Sequence, residues 1–333
     1  MSSAAPVLVT GATGFIGSAV AKALCEAGFA VRTVARPTSP RHQLTGLDLK
    51  FYEGDLRDPR AVRGAMDGVQ YVFHLAADYR LWARDASEIV QNNVHITRNV
   101  MEEALRARPD RVVYTSSVAT LALDPRGGAA DETMPLSEEQ GIGAYKRSKI
   151  AAERLVEQLV AKEGLPAVIV NPSTPVGPRD VRPTPTGRII VEAAKGRIPA
   201  FVDTGLNLVH VDDVAAGQLA AVHRGRIGER YILGGEDVPF SRMLADISQL
   251  AGRRAPAVRI PHAVALPIAY AAEALALLTG QEPFASIDAV RMAKHCMYFT
   301  SRKAERELGF KARPYMEGLA DAIRWFRNAG YLG

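Results

Sequence analysis

Short apolar, β-prone runs recur along the first half of the chain: VLVT, AVRTVA, LKFYE, YVFHLA, RVVYTSS and AVIVNP. Between them lie stretches such as SAVAKALCEAG and TRNVMEEALRA, whose apolar positions return at helical spacing. Strand alternating with amphipathic helix predicts an α/β fold, an open, doubly wound parallel sheet with helices on both faces. After Asn171 the texture changes. Pro172, Pro175, Pro178, Pro183 and Pro185 crowd into NPSTPVGPRDVRPTPTG, a density that predicts extended loops suited to contacting a ligand. Strand and helix resume in NLVHVDDVAAGQLAAVH, and RYILGG reads as a further strand. The organisation expected is a larger portion over 1–173 plus about 206–234, and a smaller, largely C-terminal portion from 174–205 and 235–333.

One apolar run stands apart. HAVALPIAYAAEALALLTG, residues 262–280, approaches the length of a membrane span, but Pro267 and Glu273 interrupt it and both are costly in lipid. A buried or lid helix of the smaller portion is expected, with contact to a membrane surface or a greasy substrate as the alternative.

VLVTGATGFIGSAVAKAL places Gly11, Gly14 and Gly17 between the first strand and the first helix. Glycines there permit a tight turn and close approach to a pyrophosphate, which the helix N-terminus attracts. The larger portion therefore reads as a Rossmann-type dinucleotide domain. The second strand ends at Ala35 followed by Arg36, with no acid nearby. An arginine in that place pairs with the phosphate of NADP, so NADP(H) is favoured and NAD(H) is the alternative. Asp55, in EGDLRD, can accept from an adenine amino group. Thr13, Phe15, Ile16, Leu56, Thr115, Pro172, Tyr145 and Lys149 are further expected cofactor contacts, Lys149 as a donor to the ribose hydroxyls.

RVVYTSS brings Ser116 and Ser117 to the carboxyl end of a central strand, where open α/β sheets bind ligands. GIGAYKRSK sets Tyr145 and Lys149 one helical turn apart on one face. A hydroxyl, a phenol and an ammonium together suit hydride transfer at a carbinol or carbonyl carbon. The phenol passes the proton, and Lys149, with the positive nicotinamide of the oxidised cofactor, is expected to lower its pKa.

Taken together, TGATGFIG, GDLRD, HLAA, YTSS and YKRSK resemble the extended short-chain dehydrogenase/reductase family over nearly the whole chain. HLAADYRLW, VNPSTPVGPRD, the long PTPTGRIIVEAAKGRIPAFVDTGLNLVHVDDVA stretch and ERYILGGE resemble the hopanoid-associated sugar epimerases. Those proteins fall in the NAD-dependent epimerase/dehydratase group and are also described as dihydroflavonol-4-reductase-like. The resemblance implies a catalytic Ser117, an acid/base Tyr145 with Lys149 as its partner, and a pyrophosphate loop at Gly11, Gly14 and Gly17. It also implies a strand-end turn at Leu75, Ala76 and Ala77 beside the cofactor, a steadying role for Asn93, a place in hopanoid biosynthesis and a homodimer.

Relatives acting on nucleotide diphosphate sugars carry an arginine and an aspartate where TGLNLVHVDD has Leu206 and Asn207, and Arg291 lacks the acid usual beside its counterpart. Losing a bidentate phosphate clamp removes a charge-assisted contact. The expected function is accordingly an NADP-dependent oxidoreductase acting on a small, possibly apolar carbonyl or alcohol. A sugar epimerase and a non-catalytic cofactor-sensing module are the alternatives. Tyr79, Arg80 and Trp82 are candidate substrate contacts. His74 reads as a core histidine, His210 as a loop-fixing one, and Asp212 with Asp213 as helix-start carboxylates rather than metal ligands.

Charge adds little: 41 basic against 36 acidic residues leave +5, and their scatter gives no support for nucleic-acid binding. Cys25 and Cys296 have no metal-ligand spacing and read as packing residues in a reducing compartment. No metal is expected. The N-terminus lacks a secretory pattern, so a cytoplasmic place is expected.

Overall fold

The computed structural model describes residues 5–332. Its first half runs β1 (Pro6–Thr10), α1 (Phe15–Glu26), β2 (Ala30–Ala35), β3 (Leu49–Glu53), α2 (Pro59–Met66), β4 (Tyr71–His74), α3 (Ser87–Ala107), β5 (Arg111–Thr115), α4 (Gly143–Glu163) and β6 (Ala167–Pro172). There follow β7 (Thr174–Val176), α5 (Pro185–Ala194), β8 (Ala200–Phe201), β9 (Gly205–His210), α6 (Val211–Arg224) and β10 (Arg230–Leu233). The chain ends with β11 (Glu236–Pro239), α7 (Phe240–Leu250), β12 (Val258–Arg259), α8 (His262–Thr279), α9 (Ile287–Met292), β13 (Cys296–Met297), α10 (Arg302–Leu308) and α11 (Tyr315–Asn328).

Seven parallel strands form the main sheet in the order β10-β6-β5-β4-β1-β2-β3. All seven are runs the hydrophobic pattern predicts, and the period-two alternation explains their two covers. Val7 and Val9 face one core with Val20 and Leu24 of α1 and Val214 of α6. Leu8 between them faces the other, with Val100 and Met101 of α3 and Val156 of α4. Chain order reverses between β1 and β4, and that is where an open α/β sheet leaves a crevice beyond its strand ends.

A second sheet, β11-β9-β13 with β7 paired to β9, packs with α5, α7 and α11 around a separate core. Within 206–234 the chain thus passes from the small sheet, through β9, back to the main one through α6 and β10.

Three sequence expectations are corrected. The proline-rich stretch is not all extended loop. Thr174–Val176 pairs with β9, and Pro185 opens α5, where a missing N–H costs nothing. Nor is 262–280 buried: α8 lies on the surface with 22% of it covered. Cys296 is exposed rather than packed, whereas Cys25 is half-buried.

Candidate active site

Gly11 has φ +74°, and a Cβ there would lie 2.7 Å from the backbone N of Ala76. Only glycine lets the first turn touch the turn after β4 in this way. A Cβ on Gly17 would overlap the carbonyl of Gly11, so the third glycine allows α1 to rise against the loop. The first turn of α1 contains no acid, and among the described residues no side chain caps it. Its N–H groups therefore face the crevice ready for an anion, and the cradle fits a dinucleotide pyrophosphate. Thr13, Phe15 and Ile16 are half-buried along it.

Thr10, at the end of β1, locks the neighbouring strand ends together. Its hydroxyl accepts from the N–H of Leu75 at 3.2 Å and bonds Nδ1 of His74 at 2.7 Å. His74 also reaches the Thr97 hydroxyl at 3.3 Å and stacks on Tyr114. Burial first, and the charge of Lys149 second, push its pKa down to about 3, which makes it a neutral core histidine. Because the folded value lies below the ordinary 6.5, the unfolded chain binds the proton first as pH falls between them, and stability is lost over that window. Between pH 7 and pH 4.5 the wild type is expected to lose about 2–3 kcal/mol more than His74→Gln. Urea unfolding at both pH values measures this, and an equal loss in the two proteins would refute it.

At the adenine end, Arg36 is exposed just past β2, and its charge helps hold the Asp55 carboxyl low. The main cause is Arg57, which grips both carboxylate oxygens at 3.0 and 2.7 Å and brings the pKa to about 2. An adenine amino group would share those oxygens with Arg57. Leu56 is half-buried beside them.

Across the crevice, Ser117 follows β5 and accepts from the N–H of Ala119 at 3.1 Å. Tyr145, in the first turn of α4, is half-buried, and burial pushes its phenol above the usual value while a hydrogen bond with Ser117 opposes the rise. Lys149 is turned inward, 4% exposed, donating to the carbonyl of Thr115 at 2.8 Å and lying 5.2 Å over the Tyr114 ring. Burial lowers its ammonium to about 8, against the pull of Glu153. In this structure, which carries no dinucleotide, desolvation is the larger effect on the Tyr145 phenol.

Two members of a supporting network, Asn171 and Glu153, escaped the sequence reading. Asn171 of β6 donates to the Ser117 carbonyl at 3.1 Å, the Thr120 hydroxyl at 3.1 Å and Glu153 at 2.9 Å. Glu153 is buried one turn beyond Lys149, so the i, i+4, i+8 spacing of Tyr145, Lys149 and Glu153 was the available signal. Asn93 ties α3 to this helix through the Ser148 hydroxyl at 2.8 Å and holds Asp78 by both backbone groups. Thr115 also reaches Gln218, and Pro172 is buried at the end of β6.

The remaining candidates lie further out. Tyr79 is exposed near the Arg182 carbonyl, Arg80 pairs with Asp78, and Trp82 is half-buried. His210 accepts from the N–H of Asp212 and bonds Asp321, while Asp212 and Asp213 pair with Arg179 and Arg313. Asn207 is consumed by Gly235, Asp237 and Phe299, and Leu206 packs into the second core. Arg291 is exposed on α9.

Comparison with known proteins shows the family and the fold. The model of the NAD dependent epimerase/dehydratase family matches residues 7–234. The "Putative dihydroflavonol 4-reductase" of Synechocystis sp. is 42% identical, covering 97% of this chain and 95% of its own. "Sterol demethylase protein B" of Methylococcus capsulatus is 36% identical over 98% of this chain and 99% of its own. The crystal structure of gox2253 superposes with a TM-score of 0.89 at 48% identity, over 99% of both chains.

Proposed function

Because the chain belongs to the NAD dependent epimerase/dehydratase family, within the extended short-chain dehydrogenases/reductases, we propose that it is an NADP(H)-dependent oxidoreductase of an apolar carbonyl or alcohol. The family and its relatives are nicotinamide-dinucleotide enzymes. The observation that carries the finer reading is the Lys149 ammonium turned inward onto the Thr115 carbonyl at the end of β5, one helical turn from Tyr145 on α4 and two residues before Ser117.

Bound in the crevice, the nicotinamide supplies or takes up the hydride. Ser117 donates a hydrogen bond to the substrate oxygen and orients it. Tyr145 gives its proton to that oxygen as negative charge develops there, and a phenol held above its usual pKa suits this acid role in reduction. Lys149, cationic below about pH 8, stabilises the phenolate left behind. Asn171 and Asn93 position the two elements that carry these groups.

Leu206 stands where relatives that bind a nucleotide diphosphate sugar carry an arginine, and the missing charge supports an apolar substrate over a nucleotide sugar. A relative named for sterol demethylation supports the same class.

The test is stoichiometry. One NADPH is expected to be consumed per carbonyl reduced. Product formed without net NADPH loss would indicate an epimerase, and binding without turnover a cofactor sensor. In the same assay Arg36→Ala is expected to lower the preference for NADPH over NADH by about 10- to 100-fold, the worth of a charge-assisted phosphate contact. An unchanged preference would remove Arg36 from the cofactor site.

A further inference from the structure

The apolar helix α8 presents its small residues to the protein and its large ones to water. Ala265, Ala269, Ala272 and Ala276 form the buried stripe, packed with Val290 and Ile287 of α9. Ile268, Leu275, Leu277 and Leu278, with Phe284 in the following turn, are 43%, 60%, 52%, 85% and 84% exposed. A helix that only completes a soluble core turns its leucines inward. A contiguous apolar patch of this kind marks a contact surface.

The helix is tied down along its length. His262 bonds the carbonyl of Ala293 at 2.8 Å, Glu273 accepts from the N–H of Ile287 at 2.7 Å, and Arg84 donates to the carbonyl of Leu277 at 3.1 Å. It therefore lies along the surface of the protein and is held there at both ends.

Cations rim the patch. Arg84 and Lys294 are exposed beside the two ends of α8, and neither has an acidic partner among the described residues. Of the neighbouring acids, Glu282 is paired with Arg188 at 2.7 Å, Glu273 is turned inward, Asp288 lies 3.9 Å from Arg291, and exposed Asp85, next to Arg84, accepts from the N–H and hydroxyl of Ser87. We propose that α8 and the 280–287 turn form an in-plane docking surface for an anionic lipid bilayer. The leucines and Phe284 enter the acyl boundary, and Arg84 and Lys294 meet the headgroups. A second copy of the chain suits the patch less well, because a two-fold contact brings the same unpaired cations to both sides of one interface.

Docking would set the cleft against the lipid. Arg84 follows the turn beyond β4, Glu282 holds α5 through Arg188, and a Cβ on Gly143, two residues before Tyr145, would lie 2.5 Å from Oδ2 of Asp288. An apolar substrate could then enter without crossing water. This consequence rests on the catalytic reading above, whereas the docking does not.

Flotation of the full chain tests the proposal, with vesicles of equal parts phosphatidylglycerol and phosphatidylethanolamine compared with phosphatidylcholine alone. The wild type is expected to partition about tenfold more onto the anionic vesicles, and Leu278→Ser with Phe284→Ser to lower that binding about tenfold. Arg84→Gln with Lys294→Gln is expected to remove the anionic preference. The serine variant changes exposed side chains and should keep the wild-type melting temperature; Arg84→Gln also removes the bond to the Leu277 carbonyl, so Lys294→Gln alone, expected to lower the anionic preference in part, is the control that leaves the helix tethered. Absence of wild-type flotation, or equal flotation of the serine variant, would overturn the proposal. So would a wild-type dimer that the serine variant converts to monomer, since that names a second copy as the occupant. Loss of NADPH turnover with flotation intact would instead count against the catalytic reading alone.

Discussion

Tyr145→Phe is expected to lower the reductive kcat by about 10²–10⁴-fold while the dinucleotide Kd stays within about twofold. The substitution removes one oxygen from a half-buried ring and leaves the packing at the start of α4 intact. No other group can replace the proton donor at that point. Ser117 is an alcohol of far higher pKa, and the Lys149 ammonium is committed to the Thr115 carbonyl. In the proposed reading dinucleotide affinity rests mainly on the glycine loop, so the two readouts separate chemistry from binding. A pH series adds a second check. Lys149 loses its charge as pH rises through about 8, so the wild-type rate is expected to fall on the alkaline side of that value. An unchanged kcat in the phenylalanine variant would remove Tyr145 from the reaction.

The fold was legible because its signals are local and repeated. Each strand of the main sheet is a short apolar run bounded by a helical pattern, and the alternation of Val7, Leu8 and Val9 assigns the two covers residue by residue. The glycine loop was legible for a related reason, since three glycines between strand and helix have few structural uses. What the sequence could not disclose depends on partners distant along the chain. Whether α8 was covered depended on what packs over residues 262–279, and composition cannot distinguish a buried leucine from an exposed one. Asn171 reads as an ordinary strand residue until β6 brings it beneath Ser117 and Glu153. The direction of the Tyr145 shift was also hidden. The i, i+4 spacing reveals a neighbouring ammonium, but the desolvation that raises the phenol comes from the surroundings of the whole side chain. A proline count likewise misjudged 172–185, because the same residue that ends a helix elsewhere begins α5.

Gly11→Ala is expected to destabilise the protein by about 2–4 kcal/mol and to weaken dinucleotide binding by at least about tenfold, combining left-handed strain with overpacking. Gly28 separates the two contributions. It has φ +83°, much like the +74° of Gly11, but a Cβ on Gly28 would meet no atom within 4 Å. Gly28→Ala therefore carries the backbone strain alone, about 1–2 kcal/mol, and should leave dinucleotide affinity unchanged. At Gly11 the added carbon presses on the backbone of Leu75 and Ala76, which cannot rotate away as a side chain would. The turn after β4 is itself held by the Thr10 hydroxyl, so relief must come from the glycine loop moving outward into the space a pyrophosphate would occupy. Urea unfolding and dinucleotide titration of both variants measure the difference. Equal stability losses with affinity retained in both would mean that the close approach of the two turns has no part in forming the cradle.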